Sequence, residues 1–218
     1  MSRRVHVIGP FNSGTNLMHN IIQKSACIDL TTNTPVIIGG IHEPFGKHIM
    51  TIKTINNYLD NNNNLLIIMY KNVYNWIYSI KKECYDVKYS KLFLPVELYG
   101  KKFPNMVELY NYYYINYMSI LNKYSNVVFL DYEKVIQKNN SYEYINNTLS
   151  KINLFISSKP SFDVQLMTKA KSHGQSVKTA DEAAQKFIKN QIIVKSFVNK
   201  YVNLKRSIKK SLLTFYEH

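Results

Sequence analysis

The chain has 218 residues, enough for one sizeable α/β domain and little more. Its 45% apolar and 13% aromatic content excludes a disordered or low-complexity chain. A formal net charge of +14, from 28 basic and 14 acidic residues, fits either lysine-rich solvated faces or an anionic partner: a nucleotide, nucleic acid, membrane surface or acidic glycan.

In chain order, Val5-His6-Val7-Ile8 is a short β-type run closed by Gly9-Pro10. After Phe11-Asn12-Ser13-Gly14-Thr15-Asn16, the residues Leu17, Met18, Ile21 and Ile22 share one helical face, so the order is strand, glycine loop, helix. Val36-Ile37-Ile38 is a second apolar run, followed by Gly39-Gly40 and a loop-like, polar stretch over 41–48. An amphipathic helix is expected from Thr51 to Leu59, ending at Asp60 and an asparagine run. Leu65-Leu66-Ile67-Ile68-Met69-Tyr70 is apolar on both faces, as a central parallel strand is. The next helix carries Val73, Trp76, Ile77 and Ile80 on its core side. Residues 86–103 read as irregular, 106–124 as a tyrosine-rich helix, and Val127-Val128-Phe129-Leu130 as a further buried strand. Residues 141–152 read as helical and 157–178 as loop. Thr179 and Glu182 form a capping box that opens a basic helical segment, about 179–215.

Strands alternating with helices predict a single α/β domain over 1–218, P-loop-NTPase-like, with a mostly parallel central sheet flanked by helices and a helical C-terminus. Cys27 and Cys84 form no metal-spaced pair and no disulfide framework, which fits a reducing compartment. No apolar run reaches the roughly 18–20 residues of a membrane span. The basic start Met1-Ser2-Arg3-Arg4 runs through only a short apolar stretch into the glycine loop, so no signal peptide is expected. A soluble, cytoplasmic protein needing no metal is the expectation.

Gly9-x4-Gly14 has the glycine spacing of a phosphate-binding loop. A phosphate needs several backbone N–H groups aimed at one point, and glycines let the chain curl tightly enough to supply them. The following helix adds its own N–H groups and dipole. The lysine that a triphosphate loop places after its second glycine is absent: Thr15 stands there, then Asn16. Ser13 and Thr15 hydroxyls with backbone N–H groups suit a 5′-phosphosulfate better than a magnesium triphosphate.

Gly9-Pro10-Phe11-Asn12-Ser13-Gly14-Thr15-Asn16-Leu17 resembles the 5′-phosphosulfate loop of sulfotransferases that use 3′-phosphoadenosine 5′-phosphosulfate (PAPS), in the variant with Gly-Thr-Asn. The resemblance covers roughly residues 3–135. It implies that Asn12, Ser13, Gly14, Thr15 and Asn16 hold the 5′ side of PAPS or its product PAP. It implies too that Lys71, at the end of the strand 65–70, and Ser79, eight residues on, hold the 3′-phosphate. Lys47 and His48 match the Lys-His element after the second strand, with His48 as general base and Lys47 as electrostatic stabiliser. His42 and Glu43 are rival bases. Lys171 and Gly174 fall where the family has a basic, glycine-containing loop over the nucleotide. Asp131-Tyr132-Glu133 resembles a late structural element in which Glu133 caps or orients its neighbours. One departure stands inside the loop: Asn12 occupies a position where many members carry Lys or Arg.

The expected activity is sulfuryl transfer from PAPS to a hydroxyl or amine acceptor, anionic glycans among the candidates. Two other classes compete. A nucleic-acid-binding or scaffolding protein is supported by the overall charge and the basic, aromatic-interleaved tail 186–210. A P-loop nucleotide kinase is disfavoured by the missing lysine.

Overall fold

The computed structural model describes residues 2–90, 94–137 and 140–158. Lys171, Gly174, the Thr179–Glu182 capping box and the basic segment 179–215 lie outside the described residues. So does the tail invoked for nucleic acid: twelve of the 28 basic residues, but only four of the 14 acidic ones, fall in 159–218.

The elements in chain order are β1 (Arg4–Ile8), α1 (Thr15–Lys24), β2 (Cys27–Asp29), β3 (Thr34–Pro35), β4 (Ile37–Ile38), α2 (Ile52–Leu59), β5 (Asn64–Tyr70), α3 (Val73–Lys82), β6 (Lys88–Tyr89), β7 (Val96–Leu98) and β8 (Lys101–Phe103). Then follow α4 (Met106–Lys123), β9 (Val127–Asp131), α5 (Tyr132–Val135), α6 (Ser141–Leu149), a 3₁₀ turn (Ser150–Ile152) and β10 (Leu154–Ile156). They form two compact units, residues 2–71 with 116–158, and residues 72–115.

The first unit is α/β. Its main sheet has the order β4-β1-β5-β9, and every pair is parallel. Leu65 to Met69 in β5 are all fully buried, because the strand has a paired neighbour on each edge and is covered on both faces. The chain leaves β1 toward β4, then returns past β1 to β5. Right-handed crossovers in opposite directions put α1 and α2 on opposite faces of the sheet. The strand order therefore reverses between β1 and β5, and the carboxyl ends at such a reversal are where open α/β sheets bind ligands. The loops that leave those two ends begin at Gly9 and Lys71.

A second, antiparallel sheet, β10-β2-β3, was not legible as such in the sequence. The apolar run at 36–38 is split: Val36 is buried between β3 and β4, whereas Ile37 is 45% exposed at the edge of the main sheet. Arg3 ties the two sheets together through Asp29 (3.3 Å) and the Ile152 carbonyl (3.0 Å). Asp29 also accepts from the hydroxyls of Thr31 and Thr32 and from the Thr31 amide.

The second unit contains α3, the antiparallel meander β6-β7-β8 and the first half of α4. The meander corrects the irregular reading of 86–103: strands of two or three residues are too short to show a period. Tyr89, Val96 and Phe103 share one cross-strand row, and Lys88, Glu97 and Lys102 the next. Trp76, as expected from its helix face, is fully buried; its ring lies 5.4 Å from Tyr110, which in turn lies 4.6 Å from Tyr114. Among the described residues no helix is long and apolar enough to cross a membrane.

Asn105 caps α4: its Oδ1 accepts the amides of Val107 (2.9 Å) and Glu108 (3.0 Å), and the residue is buried. Asn105→Ala should cost about 1–2 kcal/mol in urea unfolding, and Asn105→Asp should recover most of it.

Candidate functional site

Everything in the site starts from the turn between β1 and α1. Gly9 leaves β1 with no room for a side chain: a Cβ there would run into Ser13 Oγ and the Met69 carbonyl. Gly14 has φ +91°, and a Cβ on it would meet the Tyr132 ring. The two glycines are thus required by close approach on one side and by left-handed backbone on the other. Asn12 also takes a positive φ, 59°, which asparagine tolerates better than most residues.

Ser13 holds the turn from inside. Its amide (3.2 Å) and its hydroxyl (2.7 Å) both donate to the Pro10 carbonyl, and the residue is fully buried. The hydroxyl expected to face a phosphate is directed into the loop itself. Thr15 is also buried. Gly14 is the N-cap of α1; no side chain caps the helix, and its first turn contains no acidic residue. The amides of that turn and the positive end of the helix dipole are therefore the natural anion-binding groups here.

The loop 41–48 is brought to this turn by an exchange around Gly9. The Gly9 amide donates to the Lys47 carbonyl (2.9 Å), and His48 Nδ1 donates to the Gly9 carbonyl (2.8 Å). The His48 ring lies 4.1 Å from that of Phe11. Lys47 is half-buried, and its Nζ donates to Asn16 Oδ1 in the first turn of α1. Burial lowers the Lys47 pKa. Burial also pushes His48 down to about 4, outweighing the opposing hydrogen bond to Gly9. At neutral pH His48 is an uncharged imidazole whose Nδ1 donates to the Gly9 carbonyl.

Lys71 arrives from the carboxyl end of β5. It is 4% exposed, its Nζ donates to the Asn12 carbonyl (3.0 Å), and that ammonium lies 4.4 Å from the centroid of the Tyr132 ring. Tyr132 begins α5, whose cap is Asp131: Asp131 Oδ1 accepts the Glu133 amide at 2.9 Å. The N-cap of α5 is thus Asp131, with Glu133 in the first turn of the helix.

Two further imidazoles, not assigned from sequence, fasten the same loop. His19 Nε2 donates to the Gly39 carbonyl (2.9 Å). His6, on β1, is buried, hydrogen-bonds the Phe45 backbone and meets the Phe45 ring edge-on at 4.7 Å. Its Nε2 is buried with no partner among the described residues, and burial pushes its pKa down to about 4. The alternation of β1 could have flagged His6 as inward-facing; nothing local could have named its partner.

Three expected residues remain. His42 and Glu43 are exposed, with Glu43 Oε2 accepting the Gly40 amide at 3.3 Å. Ser79 belongs to the second unit, where its hydroxyl donates to the Asn75 carbonyl one turn back at 2.8 Å. The fold and the loop together define an α/β domain with a glycine turn at the point where its parallel sheet reverses order. Comparison with protein-family models, with curated proteins and with solved structures finds no match.

Two outcomes are expected. Gly14→Ala should destabilise the protein by about 1–2 kcal/mol or more, since it combines a left-handed backbone with a collision against Tyr132; urea unfolding measures this. His6 and His48 both titrate near 4 when folded and near the ordinary 6.5 when unfolded, so between these values the unfolded chain binds more protons. Stability should be complete above about pH 6.5 and fall as pH drops toward 4, by roughly 3 kcal/mol per imidazole. His6→Gln should remove about half of that fall in thermal melts taken from pH 7 to pH 4.

Proposed function

We propose that the Gly9–Asn16 turn binds the phosphosulfate of PAPS and that the chain is a sulfotransferase acting on a hydroxyl or amine, with a carbohydrate among the candidate acceptors. The observation that carries this is the joining of two sequence-distant elements at one residue: the glycine turn and the Lys47-His48 pair meet through the amide and the carbonyl of Gly9. A phosphate-binding turn needs no histidine. A group-transfer enzyme needs a base and a cation beside its anion site.

In this reading, turn amides and the start of α1 hold the 5′-phosphate. The acceptor oxygen attacks sulfur in line as the S–O bond to the phosphate breaks, so PAP leaves with the electron pair. His48 takes the acceptor proton on Nε2 while its Nδ1–H stays on Gly9. A pKa of about 4 makes the empty site's imidazole a weak base. A bound anion next to it favours the imidazolium and raises that pKa as the reaction requires. Lys47, released from Asn16, balances charge on the transferring group. A triphosphate kinase is less well served, because Thr15 stands where its loop lysine would be.

PAP at about a hundred times its dissociation constant should raise Tm by about 5–10 °C, with ATP-Mg giving less at equal concentration. A larger shift with ATP-Mg, or none with millimolar PAP, would sink the proposal. His48→Ala should keep the PAP shift and lose at least a hundredfold of sulfate transfer from PAPS, followed with a panel of hydroxyl and amine acceptors.

A further inference from the structure

The resemblance gives Lys71 the role of a 3′-phosphate ligand, yet the contacts of its ammonium are with the glycine turn and Tyr132. The ammonium lies under the glycine turn, 3.0 Å from the Asn12 carbonyl. Only 4% of the residue is exposed, and the ring of Tyr132 lies 4.4 Å away. The same ring closes off the space beside Gly14, so one aromatic side chain touches both the turn and the cation. Asn12 is the position in the turn where the resembling family carries a cation, and here its side chain is neutral.

We infer that Lys71 supplies, from the end of β5, the positive charge that the turn lacks at Asn12, and that it serves the 5′ phosphoryl group of the nucleotide instead of the 3′-phosphate. The inference rests on the proposed nucleotide site and changes what that site selects. The charge of a buried ammonium beside the turn acts through a poorly screened medium on an anion held by the turn amides. A fixed cation–π contact keeps the flexible lysine stem from sampling other positions. Tyr132 is thus a positioning residue: it sets where the charge sits and how closely the turn can pack on it. A ligand with a 5′-phosphate and no 3′-phosphate keeps the Lys71 contribution in full.

Calorimetric titration with AMP, adenosine 3′-monophosphate and PAP distinguishes the roles. In the unmodified protein, AMP should bind at least about tenfold more tightly than adenosine 3′-monophosphate. Lys71→Met should weaken AMP and PAP by the same factor, about tenfold or more, leaving their ratio unchanged. Returning a cation to the turn, in Lys71→Met with Asn12→Lys, should restore both. Tyr132→Leu should weaken both ligands in parallel and Tyr132→Phe should not, since phenylalanine keeps the ring face. A loss confined to PAP in Lys71→Met would overturn the inference and leave the nucleotide site standing, as would equal binding of the two monophosphates by the unmodified protein. If the single variant does not fold, that monophosphate comparison decides alone. Absence of binding by PAP, AMP and inorganic phosphate to the unmodified protein would overturn both the inference and the site.

Discussion

The backbone of Gly9 is the constraint on which the rest of the site depends. Its amide is taken by the Lys47 carbonyl and its carbonyl by His48 Nδ1. Both backbone polar groups of one buried residue are therefore satisfied by a segment almost forty residues downstream. A buried backbone amide or carbonyl without a partner costs as much as a lost hydrogen bond, so the glycine turn and the loop 41–48 stabilise each other. Glycine is needed at that point because the approaching Ser13 side chain and Met69 carbonyl leave no space for a Cβ.

The loop is fastened by uncharged histidines, and that choice has a physical basis. An imidazole held neutral by burial presents a fixed N–H donor to a carbonyl without introducing a charge that would compete with the lysines. His6 and His48 each do this, toward Phe45 and Gly9, and His19 adds a further ring N–H donor to the Gly39 carbonyl. The cost is sensitivity to acid: protonating a buried ring places an uncompensated charge in a poorly solvated position. The two lysines are held differently. Each spends its ammonium on a neutral oxygen of the turn, Lys47 on the Asn16 side chain and Lys71 on the Asn12 carbonyl. Both contacts bring a lysine onto the turn.

Hydroxyls behave otherwise. Ser13 spends its proton on Pro10, in the closure of the turn. Ser79 spends its own on the preceding turn of its helix. Serines that a spacing argument reads as ligands thus act first on backbone, as short hydroxyl side chains do. In the proposed function, the groups of the turn left to meet an anion are backbone amides, the start of α1 and the two lysines.

The sequence by itself determined the long, strongly patterned parts: β1, the glycine turn, α1, α2, β5, α3, α4 and β9, and with them a mostly parallel α/β sheet. Runs such as Leu65–Met69 and faces such as Val73, Trp76, Ile77 and Ile80 carry enough residues for their period to be counted. It also singled out Gly9, Gly14, Lys47, His48 and Lys71, because unusual residue types at unusual spacings stand out from a polar background. Tertiary structure decided what the short elements and the partners are. β2, β3, β6–β8 and β10 hold two or three residues each and acquire strand geometry only by pairing. Which carbonyl a histidine reaches, whether Ser13 faces inward, and that Lys71 bends toward Asn12 depend on groups brought together across 3 to 59 residues of chain. Local sequence encodes propensity and pattern, whereas a charge acquires its role from the atoms that surround it after folding.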